Sequence, residues 1–321
     1  MKKQLDAVET FHNAFGQVNA YVPKLLSEKD LTSLMIKWHQ ETSHKLYSID
    51  SFLNRINRGK NWNKFDQNDH PTKRRIRILK INKGSKNCVV SLCTFHKDYP
   101  HLLSGQIKSL KKTGFDGYHI SFWGEFPNPT GKEIKYIGVP YCFKFFCIKY
   151  AAKMGFSNIL WADSAMHFEK NPIDLFNFIE NNGGYFQFYR NESNRFRKLF
   201  MTDISVKAAN EIYGVDLLCD RLLNHRFIAC GVFGLNMNHI KAGLFCDLYD
   251  KALQNGDVFC SGSADETVTS AILAMKPFKE FADNCDNYEL NNNIIYAPQC
   301  EKMTSGKKGE SILVWQNHRH P

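Results

Sequence analysis

Residues 158–167 read Asn-Ile-Leu-Trp-Ala-Asp-Ser-Ala-Met-His, and this stretch decides the fold of the chain. The apolar run at its start is typical of a short strand buried on both faces of a mostly parallel sheet. The strand ends at Asp163, and in open α/β sheets ligands bind outside the carboxyl ends of the strands. A helix is predicted over 172–181, capped by Asn171 and stopped by Gly183. The unit is therefore strand, acidic loop and helix.

Strands and helices alternate on both sides of this unit. Before it, the patterns predict strands over 88–95, 118–123 and 135–139 and helices over 102–112 and 140–154. After it, they predict strands over 184–190, 226–235, 293–297 and 311–315 and helices over 239–254 and 265–275. This order favours an α/β fold with a Rossmann-type, mostly parallel sheet flanked by helices and joined by right-handed crossovers.

The composition indicates a globular protein with a large core. The chain has 321 residues, of which 43% are hydrophobic and 13% aromatic. No stretch approaches the roughly 18 apolar residues of a membrane span, and the first residues lack the apolar core of a secretory signal. We therefore expect a cytoplasmic protein. The pattern change near Gly84 predicts a helical, basic N-terminal extension over 1–86 and a main domain over 87–321.

The positive charge is concentrated in residues 73–86. The net charge is +10, and seven Lys and Arg side chains crowd this segment. Such a segment suits a phosphate-rich partner, and a peripheral contact with an anionic membrane is one expectation. A solvated segment without a partner is the other. Nucleic acid is disfavoured because no zinc finger, RNP-type strand or basic zipper accompanies the charge.

The ten cysteines are expected to be buried, reduced thiols, because most lie in apolar stretches. They form no C-x-x-C pair, and no histidine cluster accompanies them, which argues against a zinc site. Other signatures are absent as well. Without G-x-G-x-x-G, a P-loop or G-x-S-x-G, the chain is not expected to be a dinucleotide enzyme, a P-loop ATPase or a serine hydrolase.

One combination of motifs resembles a known family. Tyr141-x-x-Lys144 on a predicted helix, then Gly155, then the strand that ends in Trp-Ala-Asp-Ser is similar to nucleotide-sugar-dependent glycosyltransferases of the GT-A type. The resemblance covers about residues 88–320. It implies a GT-A-like domain that moves a hexosyl or pentosyl group from a nucleoside diphosphate sugar to a hydroxyl of a glycan, glycoprotein or lipid-linked acceptor. It also implies that Tyr141 and Lys144 face the donor nucleotide.

The acidic motif departs from the family pattern. GT-A enzymes usually carry D-x-D, which holds Mn²⁺ or Mg²⁺ on the donor diphosphate, whereas this chain has Asp163-Ser164-Ala165. Asp163 and Ser164 keep the place of donor contacts, but one carboxylate is a poor charge complement for a hard cation. The resemblance suggests His318 as a late metal ligand beside Asp163.

Other residues near these positions are alternatives for holding the cation or its charge. His167 would share the side-chain direction of Asp163 if the extended conformation continued, and His320 is a second late histidine. A metal-independent enzyme is also open, with Lys144, Arg195 or Arg197 neutralising the diphosphate. Helical periodicity predicts that Lys144 is half-buried.

Two further segments are assigned by the resemblance. Thr94 and Phe95 follow the first predicted strand, where such enzymes receive the nucleoside. Asp265 and Glu266 open a late helix, where an acidic residue of the family often contacts the donor sugar or acts as base. Glu266 also fits a capping box with Ser263, whereas Asp265 has no such structural role.

Two rival functions remain open at this point. A nucleotidyltransferase uses a similar sheet, but it normally has a glycine-rich, basic loop after its first strand, which Thr94-Phe95-His96 does not match. A non-catalytic nucleotide-sugar-binding protein is the second rival, because the third position of the acidic motif lacks a carboxylate.

Overall fold

The computed structural model describes residues 76–93, 99–123, 143–188, 203–219, 227–259, 264–291, 296–297 and 314–316. Its strands are β1 Ile76–Ile81, β2 Asn87–Cys93, β3 Gly117–Trp123, β4 Asn158–Ala162, β5 Met166–Phe168, β6 Gly184–Phe188, β7 Ile228–Asn236, β8 Tyr296–Ala297 and β9 Val314–Gln316. Its helices are α1 Tyr99–Lys112, α2 Phe143–Lys153, α3 Ile173–Asn182, α4 Asp203–Tyr213, α5 Ile240–Asn255, α6 Ala264–Ala274 and α7 Lys279–Asn291.

A six-stranded sheet in the order β1-β3-β2-β4-β7-β6 forms the centre of the fold. Strands β2, β3, β4 and β6 run in one direction, and β1 and β7 run against them. This arrangement confirms the predicted α/β fold with a mostly parallel sheet flanked by helices. The two antiparallel strands were not foreseen, because hydrophobic periodicity does not encode strand direction. A smaller sheet has the order β5-β9-β8.

The chain reverses its direction of travel across the sheet at β2. From β2 it passes through α1 to β3 on one side, and the next strand, β4, pairs with β2 on the other side. The carboxyl ends of β2 and β4 therefore flank a topological switch point, the place where open α/β sheets commonly bind their ligands because the two connections leave in opposite directions. Asp163 follows β4 directly at this point.

Aromatic side chains fill the core on one face of the sheet. Trp161, Phe233 and Phe186 lie side by side on β4, β7 and β6, and the last two rings stack at a centroid distance of 5.5 Å. Phe145 of α2 stacks on Phe233 at 4.9 Å, and Phe245 of α5 covers the same row. Helices α2, α5 and α6 therefore lie on this face. Trp161 is 1% exposed, which agrees with the prediction that its apolar run is buried on both faces.

Helices α1 and α3 cover the opposite face. The end of α3 follows the predicted pattern, because Gly183 ends the helix at φ 90°. The helix begins one residue later than predicted, after Pro172, and Asn171 accepts a hydrogen bond from the Ile173 N–H at 3.1 Å just before it. Because α3 packs closely on β7, its Ile179 occupies the space over Gly234. The missing side chain at Gly234 lets the helix approach the strand.

The first described strand lies in a segment that the sequence assigned to the N-terminal extension. Residues 76–81 form β1 and pair with β3, with Ile81 buried and Arg77 and Lys80 exposed. A basic segment can form a strand here because an edge strand presents half of its side chains to solvent. Residues 1–75 lie outside the described residues, and the division at residue 86 stays a prediction.

Several other predictions can be compared with the fold. Strand β5 and helices α4 and α7 were missed, and the predicted strand at 135–139 lies outside the described ranges. Six of the seven described cysteines are buried, as predicted, and none of the seven forms a disulfide bond. Among the described helices, none has the length and apolar character needed to cross a bilayer.

Candidate functional site

Asp163 leaves β4 in a tight turn that is held on both sides. Its N–H donates to Gly231 O at 2.9 Å, and its own carbonyl accepts from the Met166 N–H at 2.8 Å. The Trp161 indole Nε1 donates to Asp163 Oδ1 at 2.8 Å. The Asp163 side chain is 33% exposed. Its carboxylate is therefore held by core residues and still reaches solvent.

Lys144 is a buried cation in the first turn of α2 and belongs to the candidate site. It follows the first residue of α2, is only 6% exposed and lies among apolar residues of that helix. Its Nζ lies 2.9 Å from Asp265 Oδ2 and 3.6 Å from Asp163 Oδ1. It also donates to Cys230 O at 2.9 Å. The residue is more deeply buried than its predicted half-buried position, because the carboxylates of β4 and α6 meet it from beyond its own helix.

Asp265 and Glu266 stand in the first turn of α6, where carboxylates complement the helix dipole. Asp265 is 4% exposed and turned towards Lys144, whereas Glu266 is half-buried. The charge of Glu266 acts on both Asp163 and Asp265. Two carboxylates, those of Asp163 and Asp265, therefore face one lysine, and Glu266 adds its negative charge to the field at both aspartates.

An irregularity in β7 provides the remaining contact to Lys144. The pairing of β6 with β7 shifts register between Phe186 and Gln187, which leaves residues 230–232 of β7 out of the β6 ladder. The carbonyl of Cys230 is thereby turned to the lysine. A Cβ on Gly231 would lie 2.7 Å from Met166 Cε and 3.8 Å from Asp163 Oδ2, so glycine lets β7 pass close to the turn.

Burial and charge act in opposite directions on this cluster. Burial alone would lower the pKa of Lys144, but Asp163 and Asp265 outweigh it and hold that pKa well above its ordinary value. Burial raises the pKa of Asp265 to about 6, with Lys144 opposing the shift and Glu266 adding to it. The pKa of Asp163 is raised for the same reason. One ammonium shared by two carboxylates does not fully offset the burial of Asp265.

A second polar cluster lies below the Asp163 turn on the α1 face of the sheet. Gln106 Nε2 donates to Asp163 O at 2.7 Å, and Gln106 Oε1 lies 3.0 Å from His119 Nε2. Ser91 Oγ lies 2.8 Å from Ala162 O and 2.7 Å from Gln106 Oε1. All three polar side chains are buried, with exposures of 0 to 1%.

The structure brings together three of the predicted site residues, Lys144, Asp163 and Asp265. Ser164 is buried in the turn at 2% exposure, and Glu266 lies beside the cluster. The remaining candidates lie outside the described residues: Thr94, Phe95, Tyr141, Arg195, Arg197, His318 and His320. Ser263, the partner of Glu266 in the predicted capping box, is also outside them.

The condition under which His167 would share the side-chain direction of Asp163 is not met. The turn closed by Met166 N–H and Asp163 O interrupts the extended conformation, so the alternation of side chains does not carry through. His167 instead lines a small surface hollow together with His101 and Gln106. Its Nε2 lies 3.9 Å from Glu169 Oε1.

A divalent cation is not accommodated by the described residues alone. Within those residues, no three His, Cys, Asp or Glu side chains converge in a way that suits a metal ion. The space between Asp163 and Asp265 is occupied by the Lys144 ammonium. The predicted pair of ligands, Asp163 and His318, stays a prediction.

Sequence reasoning missed Gln106 and His119, although each left a signal. Gln106 falls on the apolar stripe of α1 formed by Leu103, Ile107 and Leu110, where a polar residue needs a buried partner. His119 stands in the middle of a buried strand. Neither pattern indicates which partner is met: Gln106 reaches the backbone of Asp163, 57 residues away along the chain, and His119 reaches the Gln106 side chain itself.

No protein-family model and no curated protein matches the chain. Among solved structures it is similar to mouse xyloside xylosyltransferase 1 in its apo form, with 9% identity, 73% of this chain and 100% of that chain covered, and a TM-score of 0.41. It is also similar to the galactosyltransferase LgtC in complex with donor and acceptor sugar analogs, with 8% identity, coverage of 72% and 87%, and a TM-score of 0.33. An active-site mutant of LgtC has 11% identity, with 73% of this chain and 88% of that chain covered and a TM-score of 0.33. Likenesses at this level carry no argument about the function of the site.

Proposed function

We propose that this chain transfers a sugar from a nucleoside diphosphate sugar to an acceptor hydroxyl at the cluster formed by Lys144, Asp163 and Asp265. One observation carries the proposal: a buried ammonium joins two carboxylates at the carboxyl end of β4. That position flanks the topological switch point, where α/β sheets bind their ligands. The sequence resemblance to GT-A enzymes supplies the reaction class.

The cluster is poorly explained as a device for stability alone. Charges removed from water pay a desolvation penalty, and well-packed apolar residues often replace a buried ion pair without loss of stability. The surrounding core, with Trp161, Phe143 and Phe233, is suited to such a replacement. Carboxylates with shifted pKa values cluster at functional sites. A functional reason for retaining Lys144 therefore supports the proposal.

The geometry suggests a different role for each charged residue. Asp163 is the partly exposed carboxylate and accepts hydrogen bonds from hydroxyl groups of the donor. Lys144 donates a hydrogen bond to Cys230 O and forms ion pairs with Asp163 and Asp265, so we assign it to orienting the two carboxylates. Asp265 fixes Lys144 from α6.

The reaction breaks the bond between the anomeric carbon and the diphosphate oxygen and forms a bond from that carbon to the acceptor oxygen. The proton of the acceptor hydroxyl must then reach a base. Asp265 and Glu266 are the predicted catalytic carboxylates, and the half-buried Glu266 is more accessible to an acceptor than Asp265. Negative charge on the leaving diphosphate requires positive groups beyond the described cluster, which Arg195, Arg197 or a cation held by Asp163 and His318 would provide.

A non-catalytic nucleotide-sugar-binding protein is the second candidate. Ala165 stands where the GT-A pattern has its second acid, and it is 6% exposed in the turn. A site with one exposed carboxylate is compatible with binding a donor without cleaving it. Donor affinity without turnover favours this candidate.

Donor hydrolysis is the direct test of the proposal. A panel of UDP- and GDP-sugars is incubated with the protein, with and without Mn²⁺, and release of the nucleoside diphosphate is measured. We expect slow hydrolysis of one donor class. Binding of a donor without hydrolysis or transfer contradicts the enzyme proposal and supports the binding protein, and absence of both contradicts each of them.

The basic segment at residues 73–86 supports a separate proposal, which concerns the surface that the protein binds. Arg77 and Lys80 are exposed on the edge strand β1, and Lys83 is exposed in the turn that follows, whereas Lys86 is paired with Glu180. We propose that this edge touches anionic lipid. Flotation with anionic liposomes at low and high salt tests the idea, and absence of salt-sensitive binding contradicts it.

A further inference from the structure

We infer that Gln106 is a positioning residue for the candidate site: its side-chain amide, held by His119, fixes the turn that presents the Asp163 carboxylate. The inference concerns the geometry of Asp163, and its consequence for activity rests on the proposed function. Gln106 belongs to α1, which lies on the face of the sheet opposite to Lys144.

The acceptors around Gln106 determine how its amide is oriented. Backbone carbonyls accept hydrogen bonds and cannot donate them, so the atom that faces Asp163 O at 2.7 Å and Ala162 O at 3.5 Å is the amino nitrogen. Its two protons serve two successive carbonyls. The oxygen Oε1 then faces Ser91 Oγ at 2.7 Å and His119 Nε2 at 3.0 Å.

His119 fixes the far end of this side chain. Because Gln106 Oε1 is an acceptor, the His119 ring must carry a proton on Nε2 and donate it. Burial and the charge of Arg77 lower the pKa of His119 to about 3, so the ring remains neutral at ordinary pH. Its Nδ1 is buried without a hydrogen-bond partner in the described part of the chain. An unsatisfied buried nitrogen is costly, and a role in orienting Gln106 explains why the ring is retained.

The position of the contact gives Gln106 its influence on the site. Strand β4 ends at Ala162, and Asp163 is the next residue. Its carbonyl oxygen accepts one hydrogen bond from Gln106 and one from the Met166 N–H, which closes the turn. Trp161 and Lys144 hold the carboxylate of the same residue from the other face. Asp163 is thus clamped through its backbone from one side of the sheet and through its side chain from the other.

The indole proton of Trp161 reports the position of the Asp163 carboxylate directly, because Nε1 donates to Oδ1 at 2.8 Å. The chain has five tryptophans, so an NMR spectrum of indole-labelled protein contains at most five such signals, and Trp161→Phe identifies the relevant one. Gln106→Met removes the amide donor at similar length, and Gln106→Glu removes it at neutral pH with a different charge. We expect both to move the Trp161 signal towards that of an indole without a hydrogen bond. Lys108→Met, on the exposed side of α1, is the matched control and leaves it in place.

The outcomes separate this inference from the proposed function. An unmoved Trp161 signal in folded Gln106 variants overturns the inference, whatever the activity. Should neither variant fold, the wild-type protein still decides: the Gln106 amide protons must exchange slowly with solvent, and fast exchange overturns the inference. For an active wild-type protein, we expect Gln106→Met to lower donor hydrolysis about 10- to 100-fold. Absence of hydrolysis in the wild-type protein contradicts the proposed function alone and leaves the NMR test intact.

Discussion

Lys144 Nζ lies 2.9 Å from Asp265 Oδ2, and this contact ties the start of α2 to the start of α6 across the end of β4. Both side chains are almost fully removed from solvent, at 8% and 6% exposure. The pair therefore interacts in a medium that screens charge weakly. Asp163 completes the cluster from the third side and is the member that solvent reaches.

Removing the shared cation destabilises the fold. Lys144→Met leaves the buried Asp265 and the partly exposed Asp163 without their counter-charge, and we expect a loss of about 3–5 kcal/mol in the free energy of unfolding. Lys149→Met is the matched control on the same helix, because Lys149 and Asp250 are more exposed. Urea unfolding followed by tryptophan fluorescence measures both. A loss for Lys144→Met no larger than for the control contradicts the assigned coupling.

The raised pKa of Asp265 predicts how stability changes with pH. Its value of about 6 lies above the ordinary 3.8, so the folded protein binds the proton more tightly than the unfolded chain does. The contribution of Asp265 to stability is therefore present below pH 4 and is lost as the pH rises from about 4 to about 6. Relative to the wild-type protein, Asp265→Asn should gain stability across that range. A relative loss of stability instead means that Lys144 outweighs burial and holds the pKa low.

The central strand and its acid were predictable from sequence because they depend on local pattern. A short apolar run followed by an acid and a capped helix places Asp163 at the end of a buried strand without any knowledge of neighbours. Local pattern also placed Asp265 at the start of a helix, whereas its role in the site was assigned by the resemblance. These positions follow from the element in which each residue stands.

The contacts between the elements could not be predicted in this way. Helical phase indicated that Lys144 faces partly inward, but the carboxylates that bury it come from β4 and α6. The Cys230 carbonyl is presented by an irregular register in β7, which has no sequence signature. The Gln106 contact similarly joins residues that only the order of the sheet brings together.

The indole of Trp161 has a polar role in addition to its place in the core. Trp161→Phe keeps an aromatic ring against Phe143 and Phe233 but removes the donor to Asp163. A hydrogen bond to a charged group contributes about 1.5–3 kcal/mol, and we expect a stability loss of that order. We also expect slower donor hydrolysis. Thermal unfolding and the hydrolysis assay measure the two effects, and an unchanged hydrolysis rate contradicts the role of Trp161 in holding Asp163.

Two glycines of β7 differ in how much they tolerate a side chain. A Cβ on Gly234 would lie 2.3 Å from Ile179 Cδ1 and 3.2 Å from the backbone oxygen of Ile159, so α3 must move. A Cβ on Gly231 meets only the flexible end of Met166 at 2.7 Å. We expect Gly234→Ala to cost about 1–3 kcal/mol and Gly231→Ala to cost less. Urea midpoints in the reverse order contradict the packing of α3 on β7.

The most direct measurement of the central claim is nucleotide-sugar hydrolysis by the wild-type protein and by Asp163→Ala. Asp247→Ala, which alters an exposed aspartate on α5, serves as the control for loss of a charge. We expect Asp163→Ala to lower the rate of nucleoside diphosphate release at least about 100-fold while the control retains the wild-type rate. Equal rates for Asp163→Ala and the wild-type protein contradict the assignment of the donor site to the end of β4.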